Sequence, residues 1–268
     1  MEFIKMHGIG NDYVYVDCFR NPAPKDPAGL SVKVSKFHTG IGSDGLILML
    51  PDENADARMR IFNKDGSEGE MCGNGIRCMG KYLYDSGLVK KKVMSIATGG
   101  GIRTLEVFTE GGEASQIRVD MGKPQFAKES VSIAFPDGKT AMFTPLSFGN
   151  PHAVTLDRFP ADDISFERDG KLVETHPLFP GRVNASFVRV LDSTHLIARI
   201  WERGSGATLA CGSGACATLA AAARAGACER KAYVSLPGGD LFIEWDENSG
   251  CVFMTGPAEI SFTGNWRE

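Results

Sequence analysis

The 268-residue chain has no apolar run reaching the roughly 18 residues that a membrane-crossing helix needs. Its opening residues, Met1-Glu2-Phe3-Ile4-Lys5, carry no apolar stretch of the kind a secretion signal requires. It has no excess of basic charge: the net charge is −4, and the densest cationic run is Lys90-Lys91-Lys92, which reads as a solvated turn. A nucleic-acid surface is therefore not expected. The seven cysteines, at 18, 72, 78, 211, 216, 228 and 251, are odd in number and irregular in spacing, so they do not form a disulfide framework. Free thiols and a cytoplasmic location follow as expectations. No Cys-x2-Cys knuckle or His pair accompanies Cys72, Cys78, Cys211 or Cys216, so no metal site is expected. The phosphate-loop pattern Gly-x4-Gly-Lys-Ser/Thr is absent, and Gly8-x-Gly10 lacks the third glycine of a dinucleotide fingerprint.

What the chain does have is an internal duplication. Cys72-Gly73-Asn74-Gly75 returns as Cys211-Gly212-Ser213-Gly214, an offset of 139 positions (211 − 72). The same offset links Asn11 to Asn150, Asn63 to Glu202, Gly87 to Gly226, and Arg60-Ile61 to Arg199-Ile200. A repeat of this length is domain-sized. Hydrophobic content of 43% is enough for two such halves to hold a core each. The halves are expected to face each other, each bringing one copy of the cysteine loop.

Alternating and apolar segments read as strands at 3–6, 13–16, 46–50, 58–62, 93–97, 102–109 and 116–121 in the first half. A short helix is expected within 30–38 and a longer one over about 76–86, stopped by Gly87. The turn at Gly122-Lys-Pro124 marks the expected boundary. In the second half, strands are expected at 153–156, 187–191, 196–201, 232–236, 241–245 and 252–255. The helix over about 215–225 is apolar almost all round, so it should be surrounded by protein. The fold class is therefore α+β, with two pseudo-symmetric domains, each a curved sheet wrapped around a helix.

The chemistry concentrates in the cysteine loops. Glycines let the backbone turn and approach a ligand closely. The helix start presents unpaired N–H groups and a positive dipole end, a cradle for a carboxylate. A thiol placed there is expected to fall below its reference pKa of about 8.5. One thiolate could remove a proton from a carbon while a facing thiol protonates the opposite side, which inverts a stereocentre. Cys18, Cys78, Cys216, Cys228 and Cys251 read instead as inert packing. Turn formation is an alternative role for the asparagines, and a structural role is an alternative for His152. A non-catalytic metal- or thiol-binding module is the reading from a different class.

Met6-His-Gly-Ile-Gly-Asn11-Asp12, Gly40-Ile-Gly-Ser-Asp44-Gly45, Asn63-Lys-Asp65-Gly66-Ser67-Glu68 and Met71-Cys-Gly-Asn-Gly-Ile-Arg77 occur in that order. Gly149-Asn-Pro-His152, Val183-Asn184, Trp201-Glu-Arg-Gly204 and Ala210-Cys-Gly-Ser-Gly-Ala-Cys216 follow. Together they resemble the diaminopimelate epimerase family over essentially the whole chain. The resemblance implies a cofactor-independent epimerase that interconverts LL- and meso-diaminopimelate in lysine and peptidoglycan precursor synthesis. It implies barrel-like halves, 1–121 completed by 257–268 and 122–256, and a cytoplasmic homodimer. On that pattern Cys72 and Cys211 match the acid/base pair, Cys211 accepting the proton in the LL-to-meso direction. Gly73, Asn74, Gly212 and Ser213 match the loops that hold the reacting carboxylate. Asn11, Asn63, Asn150, Asn184, Glu202 and Arg203 match substrate contacts. His152 and Glu202 match residues that tune the thiols. Two positions depart from the pattern. Gly45 stands where some members carry a substrate-contacting glutamine, and Gly206-Ala207 where an acidic residue is common. A proline or hydroxyproline racemase or epimerase of the same fold is the alternative.

Overall fold

The computed structural model describes residues 1–267 and divides into two compact units. The first is Met1–Asp120 together with the segment from Thr255 onward; the second is Met121–Met254.

The first unit opens with β1 (Glu2–Gly8) and β2 (Asn11–Asp17), then α1 (Pro27–Val34), β3 (Gly45–Leu50), β4 (Ala57–Asn63) and the two-residue β5 (Glu68–Gly69). Helix α2 (Gly73–Asp85) follows, then β6 (Val93–Thr98), β7 (Gly101–Glu110) and β8 (Glu113–Asp120). The sheet alternates pairing sense: β1–β2 antiparallel, β2–β3 parallel, β3–β4 antiparallel, β4–β6 parallel, and β6–β7–β8 antiparallel.

The second unit repeats this order. It contains β9 (Gln125–Phe126), β10 (Val131–Ala134), β11 (Thr140–Ser147), β12 (Pro151–Thr155), α3 (Asp163–Glu174) and β13 (Asn184–Asp192). Then come β14 (His195–Glu202), β15 (Gly206–Ala207), α4 (Gly212–Arg224), β16 (Lys231–Leu236) and β17 (Gly239–Trp245). Strand β18 (Val252–Gly256) crosses the unit boundary, and β19 (Glu259–Asn265) returns to pair antiparallel with β1. Pairing again runs β11–β12 antiparallel, β12–β13 parallel, β13–β14 antiparallel, β14–β16 parallel and β16–β17 antiparallel. Adding 139 to the bounds of α2 gives those of α4.

Strand β3 is buried on both faces, as expected of a continuous apolar run. Its alternation sends Leu46 and Leu48 into a cluster with Phe3, Val14, Val16, Leu30, Val34 and Phe62 under α1. Ile47 points the other way, to the first turn of α2. In the second unit Phe187 and Trp201 pack with Phe143 and Phe166 under α3, while Ile200 meets the first turn of α4. Each unit is thus a mixed sheet with a short outer helix on one face and a central helix on the other.

The central helices begin three residues earlier than the sequence pattern indicates, at Gly73 and Gly212, because the glycines themselves take helical geometry. Both end as expected: Gly87 and Gly226 adopt φ of 72° and 71°, and their N–H groups bond Tyr84 and Ala223 carbonyls at 3.0 Å each. Helix α1 also starts earlier than expected, with Pro27 in its first turn and Asp26 capping it through Gly29 N. Helix α3 and strands β10 and β11 were not evident in the sequence pattern. Asp162 and Ser165 form a capping box at the start of α3.

Candidate active site

In each unit the cysteine is the N-cap of the central helix, with extended backbone: φ −133°, ψ 118° at Cys72 and φ −123°, ψ 102° at Cys211. The fourth residue of each loop, a glycine, leaves room for an isoleucine side chain of the sheet. A Cβ on Gly75 would lie 2.6 Å from Ile47 Cδ1, and one on Gly214 2.6 Å from Ile200 Cδ1 and 3.1 Å from Cys211 Sγ.

The two thiols have different surroundings. Cys72 Sγ accepts from Gly75 N at 3.3 Å and donates to Asn11 Oδ1 at 3.3 Å. Asn74 Nδ2 donates to the same Asn11 oxygen at 3.2 Å, and Arg77 Nη1 donates to Asn74 Oδ1 at 2.8 Å. Asn11, Cys72, Asn74 and the loop glycines therefore form one cluster. Asn63 stands apart from it: its Nδ2 bonds Ser67 Oγ at 3.0 Å at the exposed end of β4.

Cys211 is buried and donates to Glu202 Oε2 at 3.0 Å; Ser213 Oγ lies 3.8 Å from its sulfur. Thr208 Oγ1 holds the other carboxylate oxygen of Glu202 at 2.6 Å. Burial first, and then the Glu202 carboxylate, push the Cys211 thiol well above the usual thiol range. This corrects the expectation that a helix start lowers it. The helix-end N–H of Gly214 and the Ser213 hydroxyl act in the expected direction, but the loss of water and the adjacent anion outweigh them.

Around Ser213, Asn150 Nδ2 donates to Ser213 Oγ at 3.2 Å, and His152 Nε2 lies 3.2 Å from Asn150 Oδ1. His152 is 1% exposed, and burial, then the Arg203 guanidinium, lower its pKa to about 3, so the ring is neutral. Asn184 bridges two segments: its Nδ2 donates to Pro151 O at 2.8 Å, and its Oδ1 accepts from Arg203 N at 2.9 Å. The Arg203 guanidinium reaches Gly181 O at 3.3 Å. The second unit thus gathers Asn150, His152, Asn184, Glu202, Arg203, Cys211 and Ser213.

Gly45 has a structural reason to lack a side chain. A Cβ there would lie 2.1 Å from Phe62 O and 3.0 Å from Tyr13 Cε1. Gly206 and Ala207 form β15, paired with Trp201 and Glu202. An open cavity of about 650 Å³ lies beside β15, lined by Phe166, Glu174, Arg182, Arg199, Trp201 and Gly204 among others; none of the candidate residues borders it. Among the described residues no group of three His, Cys, Asp or Glu side chains could hold a metal ion, and no helix is long and apolar enough to cross a membrane.

Two residues escaped the sequence reading. Asp44 Oδ2 accepts from Asn11 Nδ2 at 2.7 Å, and Arg77 is fully buried at the loop of Cys72. Asp44 and Arg77 sit inside recognisable motifs, but their neighbours come from distant segments. The offset gives one hint: the position matching Arg77 is Cys216 (216 − 77 = 139), so the two loops are not chemically equivalent.

Solved structures share this fold. A probable proline racemase from Agrobacterium radiobacter K84 superposes with a TM-score of 0.76 at 16% identity, over 99% of this chain and 92% of that one. A hydroxyproline epimerase from Agrobacterium vitis gives 0.75 at 16% identity, over 98% and 90%. A PhzF-family protein of Bacillus anthracis gives 0.72 at 16%, over 98% of both. The fold is therefore the sheet-dominated α+β fold of the proline racemase and PhzF type. A family model described as diaminopimelate epimerase matches residues 3–127 and 145–261. Diaminopimelate epimerases of Acetivibrio thermocellus (50% identical, 98% of each chain covered) and Bacteroides thetaiotaomicron (47%, covering 98% of this chain and 97% of that one) are similar throughout. One from Methanococcus maripaludis is 46% identical, covering 98% of this chain and 99% of that one. The chain belongs to the diaminopimelate epimerase family, and it is an isomerase.

Proposed function

We propose that the protein interconverts LL- and meso-2,6-diaminopimelate by two-base proton transfer, with Cys211 and Cys72 acting on opposite faces of one α-carbon. The observation that carries this reading is the repeated placement of a cysteine as N-cap of a glycine-turned central helix, once in each unit.

In the LL-to-meso direction the Cys211 proton passes to Glu202 Oε2, its hydrogen-bond partner at 3.0 Å. The resulting thiolate removes the α-proton. Because burial and Glu202 hold this thiol well above the usual range, the thiolate is a strong base once formed. The electron pair left on carbon delocalises into the α-carboxylate. The helix-start N–H groups at Gly73-Asn74 and Gly212-Ser213 stabilise that charge. The Cys72 thiol then delivers its proton to the other face, and the roles reverse in the return direction. Asn11 and Asn150 are assigned to substrate contact beside the cysteine loops. Asn63, Asn184 and the Arg203 fork are assigned to the distal carboxylate and ammonium of the substrate. His152, neutral in its site, acts through Asn150.

In deuterated water the product should carry label at the inverted carbon, and Cys72→Ala and Cys211→Ala should each reduce epimerisation below detection. Wild-type turnover by either variant, or equal turnover of proline or hydroxyproline, would reject the assignment. The cytoplasm is the compartment we assign, since free thiols are at risk of oxidation elsewhere. A homodimer is assigned as well, supported by β19, whose Ile260 and Phe262 are exposed. Sedimentation at micromolar concentration should give twice the chain mass; a single-chain mass would reject it.

A further inference from the structure

Around Cys72 the side-chain amides form a relay with a defined polarity. Arg77 Nη1 donates to Asn74 Oδ1 (2.8 Å), Asn74 Nδ2 to Asn11 Oδ1 (3.2 Å), and Asn11 Nδ2 to Asp44 Oδ2 (2.7 Å). The relay begins at a guanidinium, which can only donate, and ends at a carboxylate, which when ionised can only accept. Neither amide can turn over without setting donor against donor or acceptor against acceptor. Asp44 is itself held in place. Its Oδ2 accepts from Asp12 N at 3.2 Å, its backbone N–H bonds Asp12 O at 2.9 Å, and its carbonyl accepts from Lys64 N at 3.0 Å.

The sulfur of Cys72 meets this relay at Asn11 Oδ1, 3.3 Å away. An acceptor at that point suits a thiol, which donates a proton to it, and opposes a thiolate, which would bring a second set of lone pairs. We propose that Asp44 is a positioning residue for Cys72: by fixing the Asn11 amide with its oxygen toward the sulfur, it holds Cys72 in the protonated, proton-donating form. This rests on the assignment of Cys72 as one of the two acid/base thiols. The second unit reaches a comparable result by another route, because there the acceptor beside the thiol is the Glu202 carboxylate itself.

Asp44 faces Asp12 and Lys64, and Asp12 is ion-paired with Lys5. Tyr13 is buried and interacts with both Cys72 and Asp44, and Tyr15 and Cys78 each interact with Cys72. Arg77 enters through Asn74.

The test is the pH dependence of Cys72 alkylation by iodoacetamide in the full-length protein, read by mass spectrometry of the Cys72 peptide. Cys72 is partly exposed, so the reagent can reach it. In Asp44→Asn the terminal group can donate as well as accept, so the Asn11 amide loses the stronger of its two anchors and can turn its N–H toward the sulfur by giving up the longer bond from Asn74. A hydrogen bond to the charged form favours that form, so the alkylation midpoint of Cys72 should fall by about one pH unit, roughly a tenfold faster reaction near pH 7. The Cys211 peptide should be unaffected, and the alkaline limb of the activity profile should move to lower pH. Asp12→Asn removes a neighbouring negative charge while leaving the Asp44 acceptor, and its Cys72 midpoint should stay at the wild-type value. An unchanged midpoint in Asp44→Asn, or an equal shift in Asp12→Asn, overturns the proposal. Asp44→Ala, which also releases the amide, serves if Asp44→Asn does not fold. Full activity in Cys72→Ala would instead remove the catalytic assignment, an outcome distinct from either of these.

Discussion

At the scale of single residues, the informative contrast is between two thiols on similar turns. Both cap a helix, yet Cys211 is shut in with a carboxylate while Cys72 shares a hydrogen bond with an amide. Replacing Glu202 by glutamine removes the second-largest cause of the raised Cys211 thiol, so that thiol should ionise at lower pH. It also removes the proton acceptor. We expect kcat to fall by at least about a hundredfold, in the range of lost acid–base catalysis; a full-rate variant would exclude Glu202 from proton transfer. Gly45 makes a second residue-scale case. Its Cβ position is occupied by the Phe62 carbonyl at 2.1 Å, so Gly45→Ala forces backbone apart. Overpacking of this kind costs typically 1–3 kcal/mol, measurable as a lower urea midpoint. The asparagines, glycines and cysteines of both loops were legible because motifs place them. Asp44 was not singled out, because its value depends on Asn11 lying across a parallel strand pair rather than on its own neighbours in sequence.

At the scale of elements, the duplication made most strands and both central helices readable, because each signal could be checked against its copy. Helix α3 was missed although the offset could have found it. Adding 139 to the bounds of α1 gives 166–173, inside Asp163–Glu174. Charged residues interrupt its apolar pattern. Asp169 is fully buried, held by Arg158 at 2.6 Å and Arg168 at 2.9 Å, so a position that looks solvent-facing is interior. The central helices ended where glycine marked them. Gly87 and Gly226 have positive φ and open space around the Cβ position. Alanine at either should therefore cost about 1–2 kcal/mol of stability through backbone strain alone, with activity per folded molecule unchanged. Chemical denaturation and kcat on the same samples would check this, and a loss of kcat would mean the helix end also serves the loops.

At the scale of the whole molecule, several buried groups make stability depend on pH in both directions. His152 is kept neutral, with a pKa near 3 against a reference of about 6.5. Below about pH 6.5 the unfolded chain takes up a proton that the folded chain refuses, so stability declines toward pH 3. On the alkaline side the thiols of Cys18, Cys78 and Cys228 are raised to about 11, and that of Cys211 is raised also. Above about pH 8.5 the unfolded chain loses protons that the folded one retains, so stability declines again. Thermal midpoints across pH 4 to 10.5 should form a plateau from about 6.5 to 8.5 with falling flanks, and His152→Asn should flatten the acid flank. A midpoint that rises above pH 9 would contradict the alkaline half.

The copies have kept their scaffold and exchanged their chemistry. Asn63 stands against Glu202, Tyr13 against His152, Gly45 against Asn184 and Arg77 against Cys216, each 139 positions apart. A tandem gene encoding the second half twice would retain the strand pairings the halves share and both central helices, though not the β1–β19 pair. It would nevertheless carry two carboxylates beside two reluctant thiols, and it would lack the amide-mediated donor that the first half has evolved. In such a symmetric protein each thiol would have a carboxylate to lose its proton to, and neither would be kept as the donor.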